Sequence, residues 1–203
     1  QLQEELNKEQ QLFINTIIAL ATAIEAKDNY TRNHTANVTN LSLMIAEKIM
    51  QKNKKAFDEK SLEQLRIAGL LHDIGKIGVP EVILNKPGPL NEEERRKMKE
   101  HPAIGVAILQ SIKELKDAIL GVKYHHEKYD GSGYPDGLKG DEIPIIASII
   151  SIADTFDAMI TNRPYRSALP KDKVIEEIKQ QSGKQFDPQL SSAFIELYQE
   201  GKI

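Results

Sequence analysis

Apolar positions recur along most of the chain at spacings of three, four and seven, and no stretch alternates with a period of two, so the pattern predicts an all-helical fold. From Gln1 to Ala26 there is no glycine or proline, and Leu6, Phe13, Ile17, Leu20 and Ile24 make one stripe of a long amino-terminal helix. Gln3 and Gln10 stand where a strong coiled coil would carry aliphatic side chains. This helix therefore either packs on its own domain or enters as a linker from an upstream sensor or receiver domain, pairing there in a homodimer. Asp28 to Asn33 breaks the pattern with helix-capping side chains, and a second helix is predicted from His34 to Met50, with Val38, Leu41, Ile45 and Ile49 on one face. A third starts at Asp58 or Ser61, is buried through Leu62, Leu65, Ile67, Leu70 and Leu71, and ends on His72-Asp73. Helical spacing resumes at Asn91, is interrupted at His101-Pro102 and continues through Ile104, Ala107, Ile108 and Ile112. The next helix is expected from Leu115 to Lys128, followed by a loop over Tyr129 to Pro144 too glycine-rich for regular structure. Ile143 to Ile160 is the most apolar helix candidate and carries Asp154 and Asp157; helices over Lys171 to Gln180 and Pro188 to Gln199 complete the chain.

A length of 203 residues suffices for one domain with a real core. The 27 basic and 30 acidic residues leave a net charge of -3, which gives no basic face for nucleic acid, so a phosphate-bearing partner must meet a local site. With no cysteine, disulfides and thiolate metal sites are excluded, and a reducing, cytoplasmic setting is expected. No apolar run approaches the roughly 20 residues of a membrane span. A chain that starts at Gln1 without a targeting pattern is expected to be part of a longer protein.

The chemistry concentrates in five histidines, His34, His72, His101, His125 and His126, each at a predicted helix end or next to a turn. An imidazole and a carboxylate adjoining at the end of a buried helix, as in His72-Asp73, are costly to bury unless something compensates them, and a metal ion compensates both. Imidazoles with carboxylates and no thiolate suit iron, manganese, zinc, nickel or cobalt rather than calcium. Asp73 and Asp154 are the expected carboxylate ligands. Neighbouring residues on a helix point roughly 100° apart. Adjacent histidines such as His125 and His126 therefore chelate one ion poorly but can reach two separate ions, and the same geometry lets Asp73 bridge ions while His72 holds one of them. A centre of two metal ions suits phosphoester hydrolysis, because the pair activates a water and stabilises the oxygens of an in-line displacement.

The order His34, His72-Asp73, Asp154 resembles the motif of the HD-domain phosphohydrolases, and the fuller set resembles their HD-GYP subfamily. That set comprises His72-Asp73-Ile74-Gly75-Lys76 with Ile77-Gly78-Val79-Pro80, Lys86-Pro87-Gly88, His101-Pro102, His125-His126-Glu127 and Asp130-Gly131-Ser132-Gly133-Tyr134-Pro135. Asp154 to Ala158, Arg163-Pro164-Tyr165-Arg166 and Phe186-Asp187-Pro188 finish it. The resemblance runs from about Asn15 to Tyr198. It implies a helical bundle over residues 15–203, with 1–14 as a linker, that hydrolyses the second messenger cyclic di-GMP to linear pGpG and, in some members, onward to GMP. It further implies one metal site from His34, His72, Asp73 and Asp154, and a second from Asp73, His101, His125 and His126. A hydroxide bridging the ions, iron or manganese before other metals, is then the expected nucleophile. Lys76, Arg163 and Arg166 would bind substrate phosphates and Tyr134 would help hold the dinucleotide. Some family members hold a third ion through a glutamate one turn before the first histidine; here that place is Tyr30, a poor ligand, so two ions are expected.

Blander readings stand beside these. Lys76 can cap a helix end, Arg163 can be a surface charge and Tyr134 can be loop packing. Asp157 can orient a ligand histidine or contact Arg166. The substrate can instead be pGpG or a cyclic GMP-AMP dinucleotide, and a catalytically silent cyclic di-GMP receptor is the alternative from another class.

Overall fold

The computed structural model describes residues 2–28, 33–54, 56–162 and 167–203. Tyr30, Arg163 and Arg166 lie outside the described residues. The described chain is all-helical, with no named strand. Helix α1 (Leu2–Glu25) leads into α2 (His34–Lys52) and α3 (Glu59–Leu71), and a 3-10 turn, Ile74–Gly78, follows α3. The short α4 (Glu81–Leu84) and α5 (Glu92–Met98) precede α6 (His101–Leu109) and α7 (Lys116–Tyr124); α8 (Ile145–Ile160), α9 (Lys171–Gln180) and α10 (Pro188–Gln199) close the bundle.

Local chemistry sets most of these starts. Asp58 caps α3 by accepting from the Ser61 backbone N–H at 2.7 Å, and Asn91 with Glu94 forms a reciprocal capping box on α5. Asp187 caps α10 with Pro188 in its first turn. The expected start of the apolar helix at Ile143 moves to Ile145, because Pro144 occupies the cap position. Two further 3-10 turns appear, Lys113–Leu115 leading into the helix expected from Leu115, and Gly140–Glu142 inside the glycine-rich loop, where no regular structure was expected.

The core lies where α2, α3, α7 and α8 meet. Ile45, Leu65, Ile67, Ile149, Ile150 and Ile152 are buried there, each contributing about 1.5–3 kcal/mol on leaving water. Phe156 of α8 meets Phe194 of α10 edge-to-face at 5.0 Å. On α1, Phe13, Ile17 and Ile24 join this core as expected, but Leu20 is 47% exposed and Ala21 is buried instead. The buried stripe is turned by one position, because α1 packs against α3 and the 3-10 turn after it. The Leu6 side chain lies outside the described residues. A second small core of Val79, Ile83 and Leu84, backed by Leu90 and Met98, forms beside the 3-10 turn.

That 3-10 turn lies directly on α6. A Cβ added at Gly75 would stand 1.8 Å from the His101 carbonyl oxygen, so only glycine lets the turn approach. Gly75→Ala is expected to destabilise the protein by about 3 kcal/mol, read as a lowered denaturant midpoint; an unshifted midpoint would contradict this packing.

Candidate metal centre

Three helix ends and the polar face of α8 converge on one cavity. His72 caps the carboxyl end of α3, His125 caps α7, and His101 opens α6 just past the end of α5. In each, the ring Nδ1–H donates to the carbonyl three residues back: Gly69 at 2.8 Å, Val122 at 2.9 Å and Met98 at 2.7 Å. Those carbonyls belong to helix ends that leave them without an intrahelical partner, so the imidazole ends the helix and fixes its own tautomer. Helix α7 consequently stops at Tyr124, four residues short of the expected Lys128. With the proton on Nδ1, each Nε2 turns its lone pair into the cavity.

Among the described residues two donor groups result, each with candidate ligand atoms within 4.8 Å of one another. They are His34, His72 and Asp154, and Asp73, His101, His125 and His126. Asp73 lies between them, its Oδ2 3.4 Å from His72 Nε2 and its Oδ1 3.3 Å from His101 Nε2. His125 and His126 fall in the same group, with ring centroids 4.0 Å apart, the grouping that the motif resemblance implies and not the divergence to two ions that helix spacing alone would allow. The 100° argument assumes a continuing helix, and here the helix has already ended. Phosphate ligands expected at Arg163 and Arg166 lie outside the described residues, as does Tyr30.

The donor set fits divalent cations. His101 Nε2 and His125 Nε2 face each other at 3.4 Å, two lone pairs with no proton between them once each Nδ1 carries one. His72 Nε2 is fully buried without a hydrogen-bond partner. Burial pushes the His125 imidazole well below its usual range, and the neighbouring histidines push it further. Burial, then His101, lowers His126 to about 3, and burial lowers His101 despite Asp73. This group therefore presents neutral imidazoles, the form that ligates.

His34 is held differently. Burial lowers its pKa, but hydrogen bonds to Asp154 and Asp157 outweigh it and raise it to about 10. Its Nδ1 lies 2.6 Å from Asp157 Oδ2, and its Nε2 3.2 Å from Asp154 Oδ1. Asp157 also accepts from Asn37 Nδ2 at 2.8 Å, so of the two roles open to it, orienting His34 is the one with described contacts. Burial opposes the charge of Asp154, but His34 holds its carboxyl far below the usual range.

Lys76 bridges carboxylates, 2.8 Å from Asp73 Oδ2 and 3.0 Å from Asp28 Oδ2. Burial disfavours its charge; Asp73 and Asp28 outweigh that and hold its pKa above the usual lysine range. Asp28 had been read only as a helix-capping break, and nothing local in the sequence pairs it with a lysine 48 positions on. Its neighbour Lys27 donates to the carbonyls of Ile77 at 2.7 Å and Val79 at 2.8 Å, tying the end of α1 to the segment after His72-Asp73. Glu127 was also legible only as part of a motif. Its Oε1 accepts from the backbone N–H groups of Asp136 and Gly137 at 2.8 and 2.9 Å and so fastens the glycine-rich loop. Gly133 lets that loop pass close to Lys128, where an added Cβ would come within 2.4 Å of its backbone nitrogen. Tyr134 is thereby laid on His126, with centroids 4.8 Å apart and planes 24° from parallel.

The cavity measures about 300 Å³, within the range of small-molecule sites. Its lining joins the polar His34, Asp73, Lys76, His101, His126 and Asp154 to an apolar part made by Ile83, Leu84, Leu90 and Met98.

The sequence model of the HD domain family matches residues 17–190, and the chain belongs to that family. It is 40% identical over 201 residues to a cyclic di-GMP phosphodiesterase of Thermotoga maritima, covering 97% of this chain and 53% of that protein. It is 38% identical over 177 residues to the 3'3'-cGAMP-specific phosphodiesterase 3 of Vibrio cholerae, covering 87% of this chain and 37% of that protein. The chain thus spans about half or less of the length of these relatives. In fold it resembles a crystal structure of a cyclic GMP-AMP specific phosphodiesterase of V. cholerae, with TM-score 0.67 at 20% identity over 91% of this chain and 48% of that one. Among the described residues, no helix is long and apolar enough to cross a membrane.

Proposed function

We propose that this chain is a metal-dependent phosphodiesterase that hydrolyses cyclic di-GMP to linear pGpG, with GMP as the product of any further cleavage. The observation that carries this reading is the position of Asp73, which turns one oxygen to each of two donor groups inside a single cavity. Two divalent ions held there, iron or manganese before zinc, nickel or cobalt, would supply an acidified water and neutralise the oxygens of the displacement at phosphorus. His34, His72, Asp73 and Asp154 would hold one ion, and Asp73, His101, His125 and His126 the other.

The chain's own groups have distinct work around that reaction. Lys76 brings a permanent positive charge to the scissile phosphate. Tyr134, stacked on His126 at the cavity lining, would help hold the dinucleotide. The apolar wall of Ile83, Leu84, Leu90 and Met98 excludes water from the far side of the dinucleotide. Arg163 and Arg166 would add phosphate contacts, as the motif resemblance implies. The relatives' half of their length beyond this domain supports a larger signalling protein, in which an upstream sensor or receiver domain acts through residues 1–14 of α1, as a homodimer and in the cytoplasm.

A second substrate, a cyclic GMP-AMP dinucleotide, is favoured by the 38% identity to the V. cholerae enzyme. Protein loaded with iron or manganese under reducing conditions and followed by chromatography is expected to consume cyclic di-GMP faster than cyclic GMP-AMP. Preference for the latter would reassign the substrate, and tight binding without turnover under any metal would make the chain a receptor.

A further inference from the structure

Cyclic di-GMP carries two phosphodiesters in its ring; Lys76 is assigned to the one being cleaved, and Arg163 and Arg166, the further phosphate contacts that the motif resemblance implies, lie outside the described residues. A second negative charge entering the same cavity needs its own cation. Of the lysines in or beside the cavity, Lys76 is held between Asp73 and Asp28, and Lys86 is held by Glu94 at 2.6 Å. Lys99 differs from both. It is exposed, it has no carboxylate partner among the described residues, and its Nζ stands 5.0 Å over the centroid of the Tyr134 ring.

Its position follows from the two elements that meet there. Lys99 terminates α5, two residues before the ligand His101. Tyr134 comes from the loop that Glu127 fastens. One face of the Tyr134 ring is covered by His126, so the Lys99 ammonium occupies the other. Metal ligand, aromatic ring and ammonium therefore form a stack that leads from the reacting centre outward. An exposed cation over an aromatic face gains only about 0.5–1 kcal/mol. That is little enough for the side chain to exchange the ring for a phosphate oxygen, where a charge-assisted bond is stronger.

We propose that Lys99 binds the phosphate that is not being cleaved, and so selects substrates carrying two phosphates over simple diesters. This rests on the reading of the chain as a cyclic dinucleotide phosphodiesterase. Lys99 would act on substrate binding, leaving the chemical step to the metal ligands and Lys76.

The test compares Lys99→Met and Lys99→Arg with the parent chain, each loaded with manganese. On cyclic di-GMP, Lys99→Met is expected to raise KM about tenfold with kcat within about twofold, and Lys99→Arg to restore KM. On bis(p-nitrophenyl) phosphate, which has one phosphate, kcat/KM should fall less than about twofold, a split expected from lost binding to a second phosphate. A KM for cyclic di-GMP that does not move, or an equal loss on both substrates, would overturn the proposal; equal losses would mean that Lys99 only props Tyr134. Should the parent chain turn over no cyclic dinucleotide, the phosphodiesterase reading fails, and the Kd for cyclic di-GMP decides separately. A tenfold weakening in Lys99→Met supports the role of Lys99, and an unchanged Kd or no binding by the parent refutes it.

Discussion

Asp73→Asn is expected to lower turnover of cyclic di-GMP on the order of 10³-fold and to leave the protein with one bound ion in place of two. The side chain keeps its size, so the change is chemical. An amide has one acceptor oxygen, and its NH2 group would face either His72 Nε2 or His101 Nε2, which now face carboxylate oxygens at 3.4 and 3.3 Å. One donor group can therefore keep its shared ligand while the other loses it. The fold should persist, because Lys76 retains Asp28 at 3.0 Å as a counter-charge. Metal analysis beside a turnover assay checks both halves, and a variant that holds two ions at parental activity would contradict the shared role of Asp73.

Lys76→Met tests the other charge in the cavity, and it separates stability from catalysis. The half-buried ammonium now compensates two carboxylates, Asp73 at 2.8 Å and Asp28 at 3.0 Å. Removing it takes that positive charge from the buried Asp28 and the half-buried Asp73; losing one partner of a fully buried pair costs about 3–5 kcal/mol, and the partial exposure here sets the expected cost at the lower end. Metal should return part of that stability, since ions at the two donor groups also compensate Asp73. Denaturant unfolding with and without manganese is therefore expected to show a larger deficit in the metal-free variant. Turnover should fall about 100-fold even at full metal loading, through the lost contact to the scissile phosphate. Equal destabilisation in both metal states would mean that Lys76 serves Asp28 alone.

How far the sequence reached depends on whether the determining contact is local. The carboxyl end of α3 was legible because an apolar run stops at a histidine and an aspartate followed by glycines, and α9 and α10 begin where a proline or a capping aspartate says they should. The helical class followed from periodicity alone, and the five histidines stood out as candidate ligands because all five sit at helix ends or turns. What periodicity cannot report is which distant groups share a pocket. Asp28 and Lys76 meet across a bundle that only the assembled core creates, and the fastening of the glycine loop by Glu127 depends on how that loop folds back. For His125 and His126, helix spacing alone left two ions within reach, because it takes the helix to continue. The Val122 carbonyl instead takes the His125 ring N–H, and both rings turn to one group.

Anomalous diffraction from crystals grown with manganese addresses the two-site centre itself. The account predicts two peaks inside the cavity, one beside His34, His72 and Asp154 and one beside His101, His125 and His126, with Asp73 reaching both. A single peak, or ions bound away from Asp73, would contradict it.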